Sequence, residues 1–225
     1  RRRRFPWPQV PLLRSAEPEL DRLFAAAINT LHNSAHDLVV DGSARERQQY
    51  SGDCGHQLTT IRHLFGERQL PARFLRTYSA GMTAEGFFLD CWPAYARLNR
   101  LAQRQLGLTP WGPILDHGLG FVLDHQRHWL ETGDLAATRV AWPRLKRQLA
   151  YLHDLVRADG LLPVEDLGTP MVWIDHDGFA RQRDKRCAFN LYAVAMLVDC
   201  MAPLAHACDE PAVAAQAEAL AARLR

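Results

Sequence analysis

Apolar residues in this chain recur with the period of an α-helix along most of its length, and nowhere with the sustained period of a strand. Leu20, Leu23, Phe24, Ala27, Ile28 and Leu31 form one stripe at i, i+3, i+4, i+7, i+8 and i+11. That stripe predicts a helix from about Glu17 to Asn33, with Ser15 as N-cap and Pro18 in the first turn. Further helices are predicted from near Asp53 to Phe65, about Pro71 to Met82 (Phe74, Leu75 and Tyr78 on one side), about Ala94 to Gln105 and about Pro113 to Glu131. Thr132-Gly133-Asp134 reads as a C-cap glycine followed by a new N-cap aspartate. Pro143 then suits the first turn of a helix carrying Leu145, Leu149, Leu152 and Val156, which ends at Asp159-Gly160. Helices from about Arg186 to His206 and from Pro211 to Arg225, the latter capped by Asp209, close the chain. The expected class is all-α: about eight helices, antiparallel where their connections are short. Leu38-Val39-Val40 is too short to compete, and Glu85 to Trp92 reads as extended or loop.

The 225 residues suffice for one sizeable core or two small ones. Hydrophobic residues at 48% and charged residues at 23% exclude wholesale disorder, collagen-like repeats and a disulfide-dense miniprotein. No apolar run is expected to reach the ~20 residues a membrane span needs. The net charge of +2 favours no class of partner, and all basic residues but Lys146 and Lys185 are arginines. The Arg1 to Arg4 cluster is a candidate basic tail, but no apolar segment follows it to make a signal peptide; Phe5-Pro6-Trp7-Pro8 reads as a rigid linker, with residues 1–14 as a linker and 15–225 as one domain. Five dispersed cysteines make no disulfide framework and lean toward a reducing, cytoplasmic compartment.

In a helical domain the long loops carry the chemistry. Two stand out, Asp41 to Asp53 and Leu161 to Asp184. The first reads Asp41-Gly42-Ser43-Ala44-Arg45-Glu46-Arg47-Gln48-Gln49-Tyr50-Ser51-Gly52-Asp53. Its three carboxylates are interleaved with arginines and followed by an aromatic residue. Glycosidic cleavage needs an acid to protonate the leaving oxygen and a carboxylate to activate water or attack carbon. Clustered carboxylates raise one another's pKa, so one can stay protonated near neutrality. Arginines and further carboxylates can grip sugar hydroxyls, and an aromatic ring offers a stacking face. The same composition also suits a solvated loop whose charges pair with one another and cap helices.

The loop resembles the signature of the α-L-rhamnosidases, glycoside hydrolase family 78. In order and spacing, Asp41-Gly42, Arg45-Glu46-Arg47 and Tyr50-Ser51-Gly52-Asp53 match it. Asp116 ahead of a helix ending in Thr132-Gly133-Asp134, then Asp159-Gly160-Leu161-Leu162-Pro163, resembles the family's next hairpin. Trp173-Ile174-Asp175 resembles its aromatic-x-Asp loop, and Asn190 its Asn-aromatic helix. The resemblance implies part of an (α/α)6 six-hairpin toroid, expected to be incomplete in 225 residues. It implies an inverting hydrolase of terminal α-L-rhamnosyl residues with no cofactor or metal. Glu46 would be the general acid. Asp41, Arg45, Tyr50 and Asp53 would bind the sugar and shape the charge around Glu46. Asp116, His117, Trp173 and Asp175 would line the same pocket. The family's general base, a glutamate late in the toroid, has no counterpart by motif and is expected beyond Arg225.

Two other function classes stand beside this one: a non-catalytic carbohydrate-binding remnant, and another (α/α)6 carbohydrate enzyme of the glucuronyl hydrolase or trehalase kind. His32 with His36, the group Asp116, His117, Asp124, His125 and His128, and Asp175-His176-Asp177-Gly178 have some metal-site flavour, but none has a full ligand spacing. Cys54 beside His56 lacks a third member for nucleophilic catalysis and reads as a small buried thiol. Trp92 and Trp111 suit either sugar stacking or packing. Neither a phosphate-binding glycine loop nor a nucleic-acid motif is present.

Overall fold

A computed structural model describes residues 5–42, 47–93, 114–164, 172–174 and 182–225. The described elements are α1 (Pro18–Ser34), α2 (Ser51–Phe65), α3 (Gln69–Ser79), α4 (Leu115–Thr132), α5 (Ala136–Leu155), α6 (Gln182–Ala195), a π-helical segment (Met196–Met201), α7 (Ala202–Ala207) and α8 (Pro211–Leu224). Among the described residues there is no strand, only isolated bridges pairing Ala35 with Val39, Tyr50 with Cys91 and Met82 with Phe88. The helix expected from Ala94 to Gln105, and Trp111, lie outside the described residues.

Three short turns, at 66–68, 133–135 and 208–210, fold α2 against α3, α4 against α5, and α7 against α8. Gly133 is the expected C-cap at φ 71°; Asp134 is not the N-cap of α5, which is Leu135, but its Oδ1 accepts the Ala136 N–H at 2.7 Å. At the turn before α3 the carboxylate of Glu67 accepts the amides of Gln69 and Leu70. That capping is why α3 starts two residues before Pro71.

The first helices of these hairpins run parallel to one another. Along α2 and α4, Ser51 Oγ donates to the His117 carbonyl (2.8 Å), Gly55 abuts Asp124, and Arg62 pairs with Glu131. Along α4 and the long helix after it, Gly120 abuts the Tyr192 hydroxyl, and Gln126 Nε2 donates to the Asp199 carbonyl (3.1 Å). The heads of α2 and α4 therefore point toward one face. Tyr50, Ile114 and the described residues 172–174 lie there, and the short turns lie at the other end. The core between the layers holds Leu58, Ile61, Phe65, Leu119, Val122, Leu145, Phe189 and Leu197, with Phe74, Tyr78, Phe88 and Phe121 in mutual ring contact. Trp7, from the N-terminal segment, packs on Phe65 with centroids 4.3 Å apart.

Several sequence expectations are corrected. Ser15 does not cap α1; its Oγ accepts the Glu17 N–H (3.0 Å) and donates to Asp21 (2.8 Å), forming a turn ahead of the helix. The apolar stripe of α1 is only partly covered: Ile28 and Leu31 are buried, while Leu20 and Leu23 are 48% and 67% exposed. α3 ends at Ser79 rather than Met82. Pro143 lies inside α5, which begins seven residues earlier at Ala136. Asp209 does not cap α8; it sits at φ 62° in the turn, and the boundary residue Glu210 spends its carboxylate on Trp142 Nε1 (2.8 Å) and Lys146 Nζ (2.8 Å).

The long helix from Gln182 to Ala207 widens at its centre because Pro203 has no N–H and its ring crowds the carbonyl four residues back. That carbonyl belongs to Asp199 and is the one satisfied by Gln126. The stretch Lys185–Ala207 is long and apolar enough to cross a membrane by length and composition, which corrects the expectation that no run approaches that size. Half of it is buried inside the molecule, with Phe189, Met196, Leu197, Met201 and Leu204 in the hydrophobic core.

Candidate functional site

The acidic loop is closed by a clasp at its base. The Asp41 N–H donates to the Gln48 carbonyl (2.9 Å), and Asp41 Oδ1 accepts the Gln48 N–H (2.8 Å). Gln49, buried beneath it, donates through Nε2 to Thr77 Oγ1 (3.1 Å) and the Trp92 carbonyl (2.6 Å). The Tyr50–Cys91 bridge ties the same strip of chain to the loop after α3. The clasp thus joins Asp41 to Gln48 across the segment between them; Arg45 and Glu46 lie outside the described residues.

Tyr50 meets the imidazole of His117 edge-on, with centroids 6.2 Å apart. The His117 ring lies against Gly52, where a Cβ would come within 2.6 Å of Nε2. His117 Nδ1 faces the Asp90 carbonyl at 3.4 Å. Burial pushes the Asp90 carboxyl up to about 6, against the lowering effect of nearby His117.

Asp116 opens α4 and acts across the fold. Its two carboxylate oxygens accept the backbone N–H groups of Trp173 (2.8 Å) and Ile174 (3.0 Å). Ile174 sits at φ 57°, a region that β-branched residues rarely occupy, so the carboxylate fork holds a strained turn in place. The root of that loop is pinned to α6. Asn190 accepts the Leu162 N–H and donates to the Leu162 carbonyl, both at 2.9 Å, and Arg186 grips both carboxylate oxygens of Asp159 (2.9 and 2.7 Å).

Between these parts lies a cavity of about 210 Å³, lined by Ser51, Gly52, Gly55 and His56 of α2, by Asp116, His117, Gly120, Leu123, Asp124 and Arg127 of α4, and by Trp173, Ile174 and Tyr192. A more open hollow of about 400 Å³ continues along the same two helices past Thr59, Thr60 and Glu131. Of the predicted site residues, Asp116, His117 and Trp173 share the first cavity, and Tyr50 stands beside it through His117. Asp41 sits at the base of the loop. Asp53 is exposed on the first turn of α2 and is not among the lining residues. Asp175 lies outside the described residues.

Asp90, Arg127 and Tyr192 were not singled out from the sequence, and Asp124 was noted only within a polar cluster. A usable signal existed for the α4 residues. Asp116, Gly120, Asp124 and Arg127 fall at i, i+4, i+8 and i+11, a polar line along a helix whose other face is apolar. Asp124 is 5% exposed. Burial pushes its carboxyl up to about 8, against the pull of Arg127 and Arg62. Cys54 is buried and donates to the Val39 carbonyl at 3.4 Å. His32 stacks on Trp7 at 5.7 Å. Among the described residues, no group of three or more His, Cys, Asp or Glu side chains could hold a metal.

Two parallel helices bring carboxyls and imidazoles to one cavity, and a loop adds an indole, on a frame of helical hairpins. The family model described as the bacterial alpha-L-rhamnosidase 6 hairpin glycosidase domain matches residues 8–225, and the chain belongs to that family, whose fold is an (α/α)6 toroid. Solved structures share the fold. A rhamnosidase from Klebsiella oxytoca with rhamnose bound aligns with a TM-score of 0.73 and 22% identity, over 95% of this chain and 39% of its own. The GH78 family rhamnosidase of Bacillus sp. GL1 aligns with a TM-score of 0.70 and 18% identity, over 98% of this chain and 21% of its own. The α-L-rhamnosidase from Dictyoglumus thermophilum gives 0.59 and 13%, over 93% and 22%. This chain therefore spans about two-fifths or less of the length of these relatives. No curated protein sequence matches it.

Proposed function

We propose that this chain supplies the acid-bearing and sugar-gripping part of an inverting α-L-rhamnosidase. The observation that carries the reading is the convergence of Asp116, His117 and Trp173 on one cavity, with Tyr50 at its edge and the clasped loop beside it. The bound rhamnose of the Klebsiella oxytoca relative supports a carbohydrate ligand.

In this reading Glu46 protonates the leaving glycosidic oxygen. Arg45, Asp41 and Asp53 set the charge around it. Trp173 and Tyr50 offer apolar faces to the sugar ring, and His117 and Asp175 offer polar contacts. An inverting site completes the reaction with a second carboxyl ~6.5–9.5 Å away, which activates the attacking water. The test is hydrolysis of an aryl α-L-rhamnoside by the full chain, alongside calorimetry with L-rhamnose. Glu46→Gln is expected to lower turnover ~10²-fold or more while retaining binding. Near-wild-type turnover removes Glu46 from the acid role. Binding of L-rhamnose without turnover even where a longer chain supplies the second carboxyl points instead to a carbohydrate-binding module.

A further inference from the structure

Asp124 sits two helical turns below Asp116, on the face of α4 that lines the cavity. Ionisable side chains are rarely buried this deeply without a partner, because desolvation strongly disfavours the charged form. Yet Asp124 Oδ2 is buried and has no hydrogen-bond partner. One flank of the carboxyl rests on Gly55, where a Cβ would stand 2.7 Å from both oxygens, so only glycine admits it there. Arg62 and Cys54 of α2, Tyr78 of α3, Tyr192 of α6, Cys200 of the π segment and Arg127 on its own helix are the charged or titratable groups around it. The two arginines act on it by charge alone. Hydroxyl-rich ligands are the chemical class that a buried, unpartnered carboxyl suits, since the neutral acid both donates and accepts.

We infer that Asp124 is a sugar-contacting residue on the floor of this cavity, pairing with a ring hydroxyl of the bound glycosyl unit. The inference rests on the carbohydrate reading above. It adds a contact from the middle of a helix, where the signature loop supplies none. A sugar covering the cavity further disfavours the charged form of the carboxyl. Binding is therefore coupled to the neutral acid and weakens as the carboxyl ionises.

Calorimetric titration of the full chain with L-rhamnose and its monodeoxy analogues tests this. Asp124→Ala is expected to weaken rhamnose binding ~10-fold. One monodeoxy analogue should bind ~10-fold more weakly than rhamnose to the unaltered chain, yet equally to the Ala variant. Asp124→Asn, close in shape and able to donate, should bind within ~3-fold of the unaltered chain at pH 6.5. It should also lose the decline in affinity that the unaltered chain shows toward pH 9. A rhamnose affinity unchanged in Asp124→Ala overturns the inference and leaves the carbohydrate reading standing. So does an identical deoxy-sugar penalty in both proteins, or an identical pH profile in Asp124→Asn and the unaltered chain; this last holds even if the Ala variant fails to fold. No rhamnose binding by the unaltered chain overturns both.

Discussion

The two ends of the α2–α4 pair are built from the same helices and differ in almost every polar detail. At the foot, Arg62 is buried and paired with Glu131, which also faces His63, while Gly66 and Gly133 close the two helices in left-handed caps. Burial pushes the Glu131 carboxyl up, but the hydrogen bond and charge of Arg62 outweigh it and hold the group below its ordinary range. At the head, Asp124 is buried without that kind of compensation, Asp90 is raised, and Ile174 is held at a positive φ by Asp116. The foot pairs its carboxylate with an arginine beside an open hollow, and the other part retains desolvated acid and backbone strain around the smaller cavity. Such costs persist where they serve a ligand.

The comparison can be broken from either end. The largest effect is expected at the foot. Arg62→Ala removes a buried guanidinium with its packed stem and leaves the partly exposed Glu131 unpaired, and should cost about 3 kcal/mol in denaturant unfolding; a loss under about 1 kcal/mol would mean the ends do not differ in this way. Next is Asp116→Ala, which removes the charge-assisted fork to Trp173 and Ile174 but releases the Ile174 strain, for a net loss of about 2 kcal/mol. Its loss should appear mainly as weakened sugar binding, with a smaller change in unfolding free energy than Arg62→Ala. An equal fall in stability with sugar affinity intact would make Asp116 a structural cap only.

Gly55→Ala should cost about 1–3 kcal/mol through the forced contact with Asp124. The penalty should shrink by at least about 0.5 kcal/mol when Asp124→Ala is added, and strict additivity would deny that contact. The smallest effects are slopes of stability against pH, each at most ~1.4 kcal/mol per unit and per group. Burial lowers the fully buried His125 from 6.5 to about 3. Its contribution is present above 6.5 and is lost as pH falls toward 3, because only the unfolded chain takes up the proton. Asp124 has the opposite sign. It is raised from 3.8 to about 8, so stability falls as pH rises through that interval. Between about 3.8 and 6.5 the two slopes oppose, so His125→Gln should leave stability falling with pH across that interval, and Asp124→Asn should remove the fall that runs up to about 8; unchanged curves would place those groups elsewhere.

Much of the fold was legible because helix period and capping are local. The stripe that marks α1 and the Thr132-Gly133-Asp134 turn depend on residues a few positions apart. The readings that failed depend on distant partners. Asp209 looks like a cap, but the boundary residue is Glu210, and Trp142 and Lys146 from α5 claim its carboxylate. Pro143 looks like a first-turn residue, yet α5 begins earlier, where Asp134 meets the amide of Ala136. Leu20 and Leu23 share a stripe with Ile28, but the neighbouring chain covers only the later turns of α1.

The site divides along the same line. The sequence by itself determined an all-helical chain of hairpins and a loop that resembles a glycosidase signature, because both rest on spacing along one segment. Only the tertiary structure decided that Asp116 clamps Trp173 and Ile174, that the Asp41–Gln48 clasp closes the loop, and that Asp124 sits unpartnered on the cavity floor. Those facts concern burial and partners. They are fixed by which face of a helix its parallel neighbour covers, and Asp116 and Trp173, 57 positions apart, carry no local trace of that contact.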